Sequence, residues 1–396
     1  MPARYFISIL ILLIPSLLWG EEAADSIPAT TQPDKNPFFF SLKGESGIVF
    51  QTNDFVSNEG ITGFSSLSLK FCQASRGDKW QDYAYGMPYF GVGLYAATFN
   101  DQRLGIPVSF YLIHGARILS ILPKLSFNYE FNLGYSTNWN HYDLFDNPDN
   151  IAISTKQNVH VGANLYFKVK PFRHIDANIG FSLTHFSNGA VRLPNKGLNM
   201  AAPYIEICYN INPPEPRSKQ ELHLSPPKIE KRLRHDLLLT FSSRQIFYYP
   251  VNESTMRYID YKFRVFGLSY APMIVSNHTF RWGPSLDIVY DESGGSTTSY
   301  EQWEVDGLFY DRVKLGEFKQ RIGIGLSAKG EAVMPYFSFF ANVGYNIYSG
   351  NPYDKPFYQI LGVKIPFYRN FFGTFGIRSN YFSKAQFIFW SAGYTI

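Results

Sequence analysis

The chain has 396 residues, a formal charge of +4 and two cysteines. That charge is too small to argue for a nucleic-acid partner, and no run of about twenty apolar residues stands downstream of the N-terminus, which excludes a helical membrane protein. Aromatic residues make up 18% of the sequence, yet its mean hydropathy lies slightly below zero. This fits strands that alternate apolar with polar residues and carry rings for girdles at two membrane interfaces; a secreted β-sandwich is the soluble alternative.

In chain order, Arg4 precedes an apolar run from Tyr5 to Trp19 and then Gly20. Residues 1–20 read as a secretory signal peptide, and 21–36 as an N-terminal tail. From 37 to 212 alternation predicts eight strands, centred near residues 45, 66, 91, 109, 130, 164, 180 and 206. From Leu125 to Tyr135 the odd positions are apolar or aromatic, while the even ones read Ser126, Asn128, Glu130, Asn132 and Gly134. A small closed barrel with a polar-filled lumen and a lipid-facing exterior accounts for both faces. With the N-terminus on the periplasmic side, the loops at 138–156 and 188–198 are extracellular.

Cys72 and Cys208 fall on strands that flank the first strand. Two spacings of about 4.8 Å exceed the roughly 7 Å Cα limit for a disulfide, so free thiols are expected, with pairing left open.

Residues 213–234 are rich in Pro and charge and read as a periplasmic linker. From 235 to 396 alternation returns, with strands near 243, 265, 285, 324, 341, 361, 376 and 391 and a loop at 293–317 that can hold a hairpin of its own. A shift of 196 residues aligns Arg173, Gly180, Phe186 and Ser187 with Arg369, Gly376, Phe382 and Ser383, pointing to a degenerate internal copy. The fold expected is all-β: two eight-stranded transmembrane antiparallel barrels in tandem, with one sixteen-stranded barrel as the alternative.

The strand from Ile175 to Ser187 carries the chemistry. Its odd positions form the lipid-facing stripe, which ends in His185 and Ser187. Residues two apart on a strand share a face about 6.5 to 7 Å apart, so an imidazole can lean to a hydroxyl and serve as its base. Polar residues marking the rim of the membrane would look the same, so the pair alone does not decide.

The longer string runs His185-Phe186-Ser187-Asn188-Gly189-Ala190-Val191-Arg192-Leu193-Pro194-Asn195-Lys196-Gly197-Leu198-Asn199. It resembles, without a gap, the signature of the outer-membrane lipid A 3-O-deacylases of PagL type: His-aromatic-Ser-Asn, a short loop, Pro-Asn-x-Gly, an apolar residue and an acid. The resemblance extends over residues 37–212 by strand order. It implies an ester hydrolase of the Gram-negative outer membrane, with lipid A or lipopolysaccharide as substrate and no cofactor. In that scheme Ser187 is the nucleophile and His185 its base, and Asn188 with the Gly189 amide holds the oxyanion.

Asn199 falls where the family has an orienting Glu, which implies a slower enzyme or recruitment of another carboxylate. Arg192 and Lys196 either meet the anionic groups of the lipid or are solvated loop cations. No metal-ligand cluster stands out in the sequence, which argues against a calcium-dependent phospholipase. In the second half Tyr381 occupies the place of His185 and Lys384 that of Asn188, so that half is expected to be catalytically silent. The competing class is a non-catalytic barrel, structural or a channel.

Overall fold

The computed structural model describes residues 36–213, 227–229, 232–248, 257–258, 261–302, 309–351, 354–381 and 384–396. The predicted signal peptide, nearly all of the tail, most of the linker, and Phe382 and Ser383 lie outside the described residues. The chain divides into two compact units.

The first unit is a closed barrel of antiparallel strands in sequence order. They are β1 (Phe38–Val49), β2 (Gly63–Ala74), β3 (Tyr89–Phe99), β4 (Gly105–Leu122), β5 (Leu125–Trp139), β6 (Asn158–Val169), β7 (Ile175–Ser187) and β8 (Leu198–Asn210). Pairing of β8 with β1 closes the ring. All eight predicted strand centres fall inside these elements.

Side chains obey the two-residue period. In β7 Asp176, Asn178, Ser182 and Phe186 are buried in the lumen, while Ile179, Phe181 and Leu183 point outward and are exposed. The outer surface continues with Leu42, Leu67, Leu69, Leu94, Leu165 and Ile205. In water a band of this size would drive aggregation; around a closed barrel it is the surface that faces hydrocarbon. Among the described residues no helix is long and apolar enough to cross a membrane.

Ion pairs fill the lumen. Lys70 Nζ sits 2.7 Å from Glu130 and 3.0 Å from Glu206. Tyr89 and Asn164 donate to Glu130 as well, and Ser41 and Asn178 donate to Glu206. Lys43 pairs with Glu45 at 2.7 Å. Charges this deeply buried persist only when each meets an opposite charge and its remaining lone pairs accept hydrogen bonds. Lys70→Met should therefore lower stability by about 3 kcal/mol or more, because two carboxylates would then face each other without a cation. Urea unfolding of the refolded protein measures this, and an unchanged midpoint would show that the network contributes nothing. Cys72 and Cys208 are buried free thiols on the two strands beside β1, as expected.

The second unit is also a closed eight-stranded barrel, so two small barrels form and not one wide one. Its wall consists of β9 (Leu233–Arg244), β12 (Phe263–Val275), β13 (Phe280–Asp291), β16 (Ile322–Val333), β17 (Ser338–Ser349), β18 (Phe357–Tyr368), β19 (Phe371–Asn380) and β20 (Lys384–Thr395). Among the described residues, two antiparallel strand pairs are inserted between wall strands: β10 (Phe247–Tyr248) with β11 (Arg257–Tyr258), and β14 (Thr297–Gln302) with β15 (Phe309–Lys314).

The second pair falls within the 293–317 loop where a hairpin was anticipated; the first had no alternation to announce it. β9 begins at Leu233, two residues before the boundary read at 235, and contains the centre expected near 243. Asp236 points into the lumen, where it meets Lys364 at 2.5 Å and Lys329 at 3.6 Å.

Candidate active site

The outer face of β7 ends in His185 and Ser187, as the period-two pattern requires. Phe186, between them, turns inward and is fully buried. Its ring lies 4.9 Å from both Trp139 and His160, so an aromatic cluster anchors the strand end from inside. Antiparallel pairing then places His185 directly opposite Asn199 on β8, and Phe186 opposite Leu198. The 188–197 loop has the length that returns Asn199 to that register.

The three outward side chains form a relay. His185 Nε2 lies 2.8 Å from Ser187 Oγ, and His185 Nδ1 lies 2.7 Å from Asn199 Oδ1. With the Asn199 oxygen facing it, Nδ1 carries the proton, which leaves Nε2 as an acceptor for the serine hydroxyl. Sequence spacing indicated the first contact; strand pairing supplies the second.

The other predicted site residues sit in the loop that follows. The Asn188 side-chain amide, expected to face an oxyanion, instead donates to Ser154 at 2.9 Å and Thr155 at 3.4 Å. Its backbone N–H donates to Asn195 Oδ1 at 3.2 Å. Gly189 has a φ of +63°, a turn conformation that glycine adopts without steric cost. Arg192 and Lys196 are exposed.

Several residues that sequence reasoning passed over hold the loop in place. The Lys196 and Gly197 amides donate to the carbonyls of Ile151 and Ala152, both at 3.0 Å. Asn53 Nδ2 donates to the Gly197 carbonyl at 3.2 Å, and Asn199 Nδ2 donates to Thr52 Oγ1 at 3.3 Å. Asn195 lay inside the quoted motif and could have been found there. Thr52 and Asn53 follow β1 and carry no local signal; barrel closure brings them to the site.

In the second barrel Tyr381 stands in a turn just after β19, exposed, with a φ of +51°. It therefore does not occupy a strand position matching that of His185.

A search of curated proteins finds no match. Among solved structures, the outer membrane enzyme PagL aligns at 11% identity with a TM-score of 0.30, over 42% of this chain and 97% of that one. The siderophore receptor PirA from Acinetobacter baumannii aligns at 9% identity and TM-score 0.25, over 92% and 69%. The Ralstonia pickettii toluene transporter TbuX aligns at 8% and 0.19, over 92% and 90%. The family model PagL_C, described as the acyloxyacyl hydrolase C-terminal domain, matches residues 234–396 and leaves the N-terminal half unmatched. The second barrel thus carries the family match to the acyloxyacyl hydrolases, the group whose signature the sequence of the first barrel resembles.

Proposed function

We propose that the first barrel is an outer-membrane serine esterase that removes an ester-linked (3-hydroxy)acyl chain from lipid A or a close glycolipid relative. One observation carries this: Ser187, His185 and Asn199 hydrogen-bond in series on the outward face, where the apolar stripe ends. An exported barrel inserted with that end outermost presents the relay at the depth of the acyl ester bonds in the outer leaflet.

Ser187 Oγ attacks the ester carbonyl while His185 Nε2 takes its proton. The tetrahedral intermediate collapses, the proton passes to the departing sugar oxygen, and the acyl group remains on Ser187. Water, deprotonated by the same imidazole, then releases the fatty acid. The Gly189 N–H is the proposed oxyanion donor, and Asn188, tied to Ser154 and Thr155, sets the turn that aims it. Arg192 and Lys196 offer cations to phosphates of the headgroup. The second barrel is proposed to be catalytically silent.

The test is mass spectrometry of lipid A from a lipid-A-bearing host expressing the protein. Loss of one 3-hydroxyacyl mass is expected, and unaltered lipid A with the protein inserted at the surface would overturn the proposal. Asn199→Glu should raise the rate by about ten-fold, because a carboxylate offsets the charge of the imidazolium that forms and an amide does not. An equal or lower rate would show that the amide is no handicap in this site.

A further inference from the structure

We propose that Thr52 is a positioning residue for the relay, acting only through Asn199; this rests on the esterase function proposed above. A carboxylate offers two equivalent oxygens to an imidazole, whereas an amide has one acceptor end and one donor end. Asn199 can keep Oδ1 on His185 Nδ1 only if its Nδ2 is accommodated elsewhere. Thr52 Oγ1 does this at 3.3 Å, so the amide is held at both ends.

The hydroxyl is not casually placed. The Phe50 N–H donates to the Asn199 carbonyl at 2.9 Å, and the Thr52 N–H donates back to the Phe50 carbonyl at 2.8 Å. Asn53 binds the Gly197 carbonyl through Nδ2 at 3.2 Å, and through Oδ1 it caps the Asp54–Asn58 helix at the Val56 N–H. The residues on either side of Thr52 are therefore tied to Asn199 itself and to Gly197 two residues before it, and the hydroxyl is carried on a clamp.

The experiment uses the full chain in detergent with a soluble acyl ester and follows wild type, Thr52→Val, Thr52→Ser, Asn199→Ala and the Thr52→Val/Asn199→Ala double variant. Thr52→Val should lower kcat about ten-fold with KM unchanged, since it disturbs orientation and not binding. Thr52→Ser, which keeps the oxygen, should restore it. In the Asn199→Ala background Thr52→Val should cost nothing further. An effect of equal size there, or no effect in the wild-type background, would overturn the proposal.

Proton NMR of 15N-histidine-labelled protein gives a readout that needs no turnover. The His185 Nδ1–H resonance should be present in wild type and broadened or lost in Thr52→Val. Its persistence in Thr52→Val would overturn the proposal. Loss of the resonance with wild type cleaving no ester would uphold Thr52 as the positioning residue and sink the esterase function alone.

Discussion

Ser187→Ala should leave lipid A fully acylated, with deacylation lowered by about four orders of magnitude or more, because the nucleophile of a relay cannot be replaced by its neighbours. The substitution removes one hydroxyl at the end of β7 and touches neither the aromatic cluster behind Phe186 nor the lumenal ion pairs. The variant should therefore insert normally, and heat-modifiable migration on gels gives the check. Mass spectrometry of lipid A from cells expressing each form reads the outcome. Continued loss of the acyl group with the alanine variant would remove Ser187 from the chemistry and return the pair to polar residues at a membrane rim. If wild type and variant both left lipid A intact, a non-catalytic barrel would be the better description. Two lumens crossed by buried ion pairs then predict no conductance in planar bilayers.

The barrel walls were legible because a strand with one face in hydrocarbon and one in a polar lumen must alternate, and alternation survives in composition. β9 begins at Leu233, two residues before the boundary read at 235, and carries the lumenal charge Asp236 near its start. Two rings are the first reading because a Pro- and charge-rich break at 213–234 separates two runs of alternation and the 196-residue shift relates them, and two closed barrels are what form; alternation alone says which face a residue takes and nothing about which strands pair at the ends. At the site, His185 and Ser187 were readable from i and i+2 on one face. Asn199 required the motif, and the structure explains its spacing: it lies opposite His185 across the β7–β8 ladder. Thr52 is 147 residues from Asn199 in sequence, so only the β1–β8 closure could reveal it.

The resemblance in the first barrel rests on the 185–199 string, whereas the family model matches residues 234–396.

Gly197→Ala should lower kcat by about a hundred-fold with little change in KM, because it strikes the geometry of the relay from behind. Gly197 has a φ of +74°, and a Cβ built there would lie 2.8 Å from His185 Cε1 and 3.3 Å from the Phe186 carbonyl oxygen. Carbon atoms in contact need about 3.5 Å or more, so the ring or the loop must move. The ring cannot yield freely: it is held at 2.8 Å by Ser187 on one nitrogen and at 2.7 Å by Asn199 on the other, and a shift that clears the methyl breaks at least one of these bonds. The loop cannot yield freely either, since the Gly197 N–H and carbonyl are bound to Ala152 and Asn53. The positive φ adds about 1 kcal/mol against alanine on top of the clash, so a modest loss of stability should accompany the kinetic effect. Gly44→Ala on β1 is the matched control, because a Cβ there meets nothing within 4 Å, and it should leave rate and stability unchanged. Ester hydrolysis by the purified variants, with thermal unfolding of each, separates the two contributions. A Gly197→Ala variant with wild-type kcat would mean that the imidazole has room to move, and the relay seen here would not be the arrangement that reacts.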